Sequence, residues 1–165
     1  MSTLRFLSPS CCEPGTTTSP LRRALADVDP AAVRDLWLDG VVELRGDLGL
    51  VEPLPGEHLV RLSPRRGYLF TEDDPADAVE RIRGRGVLAY DATGALAGMA
   101  IQGEQLMRRL TDLDLERMPA AGPFARVTGI VLREEGERFR VYVAQELGHY
   151  VAEAVVDALA GLESA

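Results

Sequence analysis

The sequence contains no lysine and no asparagine; all eighteen basic residues are arginine. Without lysine there is no Schiff base, no phosphate-loop lysine and no Ser-Lys dyad. A codon preference for Arg and Ala also produces such a composition, so the absence filters mechanisms without assigning one. Histidine is nearly as scarce: His58 and His149 are the only 2, and neither has a Cys or His neighbour at metal-ligand spacing. The 2 cysteines, Cys11 and Cys12, are adjacent, a placement that rarely meets disulfide geometry. As a soft-metal or redox pair they lack downstream residues to complete a ligand set, so no metal site is expected. No apolar run approaches the ~18 residues of a membrane span. No charged-then-apolar leader is read at the start, and a soluble cytoplasmic protein is the expectation.

What is present is enough for a core. The chain has 165 residues, 46% of them hydrophobic, and a formal net charge of −8. That length suits one domain and excludes global disorder. The acidic balance, with arginines dispersed or near carboxylates, argues against a general nucleic-acid binder. Residues 1–18 are rich in Ser, Thr, Pro and Cys and read as a flexible N-terminal arm, with a short strand at Leu4–Leu7. Residues 19–165 read as a single α+β domain of antiparallel hairpins with packed helices.

Along that domain, Ser19-Pro20 reads as an N-cap followed by proline, and Leu21, Ala24, Leu25 and Val28 share one helical face. Asp29-Pro30 repeats the signal, predicting a second helix with Val33, Leu36 and Trp37 inward and Gly40 as its stop. Val41–Leu44 reads as a strand, Gly46–Gly56 as a loop, and His58–Leu62 with Tyr68–Phe70 as a hairpin. Asp74-Pro75 opens a helix that ends near Gly84, with Ala78, Val79 and Ile82 inward. Strands are predicted at Gly86–Asp91 and Ala95–Gln102, then a helix carrying Leu106, Met107 and Leu110. Phe124–Leu132 and Arg138–Ala144 form a hairpin around Glu134–Glu137. The last helix carries Leu147, Val151, Val155 and Leu159 at spacings of four.

Few of these residues form a catalytic constellation. No G-x-S-x-G elbow occurs, and Gly84-Arg85-Gly86 lacks the third glycine of a dinucleotide fingerprint. Asp112, Asp114 and Glu116 alternate, so an extended backbone would aim all three one way, as a cation site, a general base or a solvated edge. The doublets Arg65-Arg66 and Arg108-Arg109 suit carboxylates, anionic ligands or a partner chain. Glu153 stands one helical turn after His149 and is placed to pair with it.

Residues 86–155 carry a further pattern. Gly86-Val87-Leu88-Ala89-Tyr90-Asp91-Ala92-Thr93 resembles the "GV–D–S/T" strand of the glycine-cleavage T-protein (aminomethyltransferase) superfamily, a folate-binding fold. Ile101-Gln102-Gly103-Glu104-Gln105-Leu106 resembles that superfamily's lead-in to a helix. Leu110-Thr111-Asp112-Leu113-Asp114-Leu115, followed by Pro119 and Gly122, is similar to the gamma subunit of heterotetrameric sarcosine oxidase. Leu59 through Phe70 resembles a hairpin of that gamma family, and Ser19-Pro20-Leu21 its start, so the resemblance spans most of residues 19–160.

The resemblance implies a folate-binding-type α+β scaffold and a non-catalytic accessory subunit packed on larger subunits of a flavin-dependent amine oxidase or dehydrogenase. The flavin would lie in the partner, and none would be bound here. The acidic pair by which the aminomethyltransferases contact the reacting amine has no counterpart; Thr128-Gly129 stand there. The Lys-x-Cys-Tyr-x-Gly-Gln signature of the related iron–sulfur repair proteins is also missing. No catalytic residue is therefore expected. The alternative is a stand-alone module for tetrahydrofolate or another one-carbon carrier. In it, Tyr90 stacks on a pterin, Asp91 hydrogen-bonds its edge and Arg126 pairs with a glutamate tail. Each also has a structural reading: Tyr90 in the core, Asp91 capping a turn and Arg126 pairing across a sheet.

Overall fold

The computed structural model describes residues 19–36 and 40–164. Cys11, Cys12, Trp37 and the predicted Leu4–Leu7 strand lie outside the described residues, as does the N-terminal arm. In chain order the strands are β1 (Val33–Asp35), β2 (Gly40–Arg45), β3 (His58–Ser63), β4 (Arg66–Thr71), β5 (Leu88–Asp91), β6 (Leu96–Gln102), β7 (Ala120–Phe124), β8 (Val127–Arg133) and β9 (Arg138–Ala144). Three helices join them: α1 (Pro75–Arg83), α2 (Glu104–Leu110) and α3 (Gly148–Glu163). All pairings are antiparallel, in a four-stranded sheet of order β3-β4-β2-β5 and a five-stranded sheet of order β1-β6-β9-β8-β7.

The sheets pack face to face with helices outside them, giving four layers. Side chains alternate between sheet faces, and β9 uses both. Its Phe139, Val141 and Val143 join α2 and α3 residues Leu106, Met107, Val151, Ala152 and Val155 in one apolar cluster. Tyr142, on the other face, meets Phe70, Val41 and Val60 of the smaller sheet. The Phe70 and Tyr142 ring centroids are 4.3 Å apart. On the far side of the smaller sheet, Val42, Leu44, Leu69 and Ala89 pack beneath Ala78, Val79 and Ile82 of α1. That helix begins where the sequence predicts: Asp74 Oδ1 accepts the Ala76 amide at 2.9 Å, with Pro75 in the first turn. Arg81 and Arg83 occupy the last turn, where the helix dipole favours cations.

Four predicted elements differ. Residues 20–27 form hydrogen-bonded turns rather than a regular helix, although Ser19 Oγ does cap them, accepting the Leu21 amide at 3.1 Å. Asp29-Pro30 likewise starts a turn, with the Ala31 amide donating to Asp29 Oδ1 at 2.9 Å. The chain then straightens, and Val33–Asp35 pairs with Ile101–Met99 of β6 instead of continuing as a helix. Pairing along an open sheet edge outweighs a turn-and-a-half of helical propensity. The predicted strand Phe124–Leu132 is two strands folded about Ala125-Arg126. Finally, Leu147 precedes α3 and is exposed; the buried stripe is Val151, Ala152 and Val155.

Candidate functional site

Cross-strand register sorts the inner face of the four-stranded sheet into rows. His58, Phe70 and Val41 form the first row, and the Ala92 amide donates to the Val41 carbonyl at its end. Val60, Tyr68, Glu43 and Tyr90 form the second, and Arg66, Arg45 and Leu88 the third. Opposed residues of an antiparallel pair point to one side, so each row shares this face. Phe70 and Val41 are buried against the larger sheet, but further along the face Tyr90 is 45% exposed and Leu88 56% exposed. The smaller sheet therefore overhangs the larger one, presenting tyrosine, leucine and arginine at its open end.

Glu43 is the electrostatic centre of that overhang. Its Oε1 accepts from Arg45 Nε and Arg66 Nε, each at 3.0 Å, while its side chain is only 17% exposed. The carboxylate of Glu43, then Tyr68, hold the Arg66 guanidinium above its ordinary pKa. Arg83 lies 5.9 Å from the Tyr90 ring centroid and donates from Nε to the Ala89 carbonyl at 3.0 Å, a cation held over an aromatic face.

The residues singled out from sequence are placed as follows. Tyr90 and Asp91 are brought together at the end of β5. Asp91 Oδ1 accepts the Thr93 amide at 2.9 Å, which makes it a turn cap. Arg126 is on the other sheet, exposed at the tip of the β7–β8 hairpin, where it lines a cavity of about 470 Å³ with Arg109, Tyr150, Glu153 and Asp157. No residue of β5 lines that cavity. Asp112, Asp114 and Glu116 are not on an extended strand, because Leu115–Arg117 forms a 3-10 turn. Asp114 caps that turn and pairs with Arg117 at 3.3 Å, while Glu116 pairs with Arg133 at 2.9 Å. Arg108 pairs with Glu104, and His149 lies 3.2 Å from Glu153 as the helical spacing predicts. Among the described residues no three His, Cys, Asp or Glu side chains are grouped to hold a metal ion.

A second polar cluster ties the sheets together. Arg140, between Ala100 and Leu132 in register, donates from Nη2 to Glu72 Oε1 at 2.7 Å and from Nε to Glu134. Burial alone would lower the Arg140 pKa, but the hydrogen bonds to Glu72 and Glu134 outweigh it and raise the pKa. The same bond, then the charge of Arg140, lowers Glu72.

This architecture recurs in a solved structure. The fold is shared with a chain of a heterotetrameric sarcosine oxidase. That chain, in the Corynebacterium sp. U-96 enzyme in complex with pyrrole 2-carboxylate, superposes with a TM-score of 0.77 at 15% sequence identity. The match covers 90% of this chain and 97% of that one. No family model matches this chain, and no curated protein does. No helix of the described residues is long and apolar enough to cross a membrane.

Sequence reasoning passed over Glu43, Arg45 and Leu88. The signal was a single carboxylate inside the run Val41-Val42-Glu43-Leu44, a strand otherwise apolar on both faces.

Proposed function

We propose that this chain is a non-catalytic accessory subunit of a multi-subunit, flavin-dependent amine oxidase or dehydrogenase of the sarcosine oxidase type. The observation that carries the reading is the two-way fold match, which takes in nearly all of both chains. The scaffold belongs in this reading to the folate-binding type of the T-protein superfamily, on the motifs of residues 86–155, and the protein works in the cytoplasm. The flavin supplies the redox chemistry from a larger subunit, and this chain contributes binding surface.

The electrostatics support a structural role. The displaced pKa values at Arg140, Glu72 and Arg66 all favour the charged form through ion pairing. An acid–base catalyst is displaced the other way, toward the working pH. The open sheet end, rich in arginine and tyrosine, has the residue types that dominate protein interfaces.

Co-expression with the larger subunits of a sarcosine-type oxidase from the same host tests this reading. A stoichiometric complex is expected, with amine-dependent oxidation by the complex and none by the purified chain. Turnover of amine by the chain alone overturns the non-catalytic role, and failure to join any such complex overturns the subunit role.

A further inference from the structure

The open end of the four-stranded sheet identifies the kind of partner surface it takes, a reading that rests on the accessory role proposed above. Three turns meet there. Arg45 faces Arg66 across β2–β4 and Leu88 across β2–β5. The Gly46 amide donates to the Arg65 carbonyl at 3.0 Å. A Cβ on Gly46 would lie 3.5 Å from the Val87 Cα, so the segment from Arg85 closes the same end. With Arg83 over Tyr90, five arginines (Arg45, Arg65, Arg66, Arg83 and Arg85) belong to the strand ends and turns that close this end of the sheet.

Three carboxylates stand among these five cations and leave a surplus of two positive charges. Glu43 is shared between Arg45 and Arg66. Asp47 accepts the Gly49 amide at 2.9 Å, and Glu52 is 3.8 Å from Arg85. In a chain of net charge −8 this end is locally positive, the reverse of the rest of the molecule. Exposed Leu88 and Tyr90 lie between the cations and supply apolar contact area.

We propose that this end docks an acidic, partly apolar segment of a larger subunit. Its carboxylates meet Arg65, Arg66 and Arg85, and its apolar side chains cover Leu88 and Tyr90. Planar guanidinium groups bind carboxylates through paired hydrogen bonds, and tyrosine and arginine are the commonest interface anchors. A second copy facing this end would set arginine against arginine. A nucleic acid would be repelled by the acidic remainder of the chain and would find no extended basic track.

The full-length chain is reconstituted with the flavoprotein subunits that co-purify with it, and dissociation constants are measured for wild type, for R45E/R66E and for R85E/Y90A. Arg85 has a single distant ion pair and Tyr90 is exposed, so the second variant stays informative if the first folds poorly. Both variants are expected to bind at least tenfold more weakly than wild type. Amide exchange in the wild-type complex is expected to slow over residues 43–46, 65–68 and 85–91, and raised salt is expected to weaken wild type more than either variant. An intact complex with both folded variants at wild-type affinity overturns this docking surface while leaving the subunit role standing. A wild-type chain that captures no flavoprotein subunit overturns both. Tight binding of a 20-base-pair DNA, lost in R45E/R66E, overturns it in favour of a nucleic acid. A dimer of the chain alone that R85E/Y90A dissolves overturns it in favour of self-association.

Discussion

Ala125 and Arg126 form the two-residue turn of the β7–β8 hairpin with φ of 45° and 69°. A tight hairpin turn with both central residues left-handed favours Asn-Gly, because a Cβ in that region costs roughly 1–2 kcal/mol. Arg126→Gly removes that cost at an exposed position and returns part of it as chain entropy. A gain of up to ~1 kcal/mol is expected, read as a higher urea midpoint at unchanged slope. The opposite case is Gly98, where an added Cβ would sit 2.6 Å from the Tyr142 ring. Tyr142 is itself locked against Phe70. Gly98→Ala therefore overpacks the space between the sheets and is expected to cost about 1–3 kcal/mol in the same measurement.

Among elements, the tie between the sheets is the ion cluster of β9, Glu134 and the end of β4. Glu72 has its pKa lowered in the folded chain from the ordinary 4.5 by the hydrogen bond to Arg140 and then by its charge. A carboxylate depressed on folding contributes stability that is fully present above its unfolded pKa and lost as pH falls through the folded one. Wild type is therefore expected to lose stability below about pH 4.5, and Glu72→Gln to lose less over that same interval, with the two converging at the acid end of the titration. Thermal unfolding from pH 7 to pH 2 checks this.

The same scale shows what the sequence made legible. Elements built from local signals stood out: α1 from Asp74-Pro75, the β8–β9 hairpin from its alternation, and α3 from its apolar stripe. Elements decided by distant pairing did not. Val33–Asp35 carries a helix start signal yet pairs with a strand 64 to 68 residues away in sequence, at Met99–Ile101. The Ala125-Arg126 turn has no glycine or asparagine to announce it. The rows joining Glu43 to Tyr90 and Arg45 to Leu88 exist only through register, so Tyr90 could be named from sequence while its neighbours could not.

For the whole molecule, the four layers bury most of the described apolar side chains, and the surface outside them carries charge of unequal distribution. A net charge of −8 coexists with one arginine-rich sheet end beside Leu88 and Tyr90. The lysine-free composition matters at this scale as well, because arginine holds its charge and its planar geometry in partly buried interfaces better than lysine does. A scaffold so arranged is suited to being held by other subunits. The most direct test is purification of the tagged full-length chain from its native host, with absorbance spectra, subunit stoichiometry and amine-oxidation assays on what elutes. The accessory-subunit account predicts a stoichiometric complex that shows flavin absorbance and oxidises a secondary amine, with neither property in the separated chain. A chain that elutes alone, or that oxidises the amine without other subunits, would contradict it.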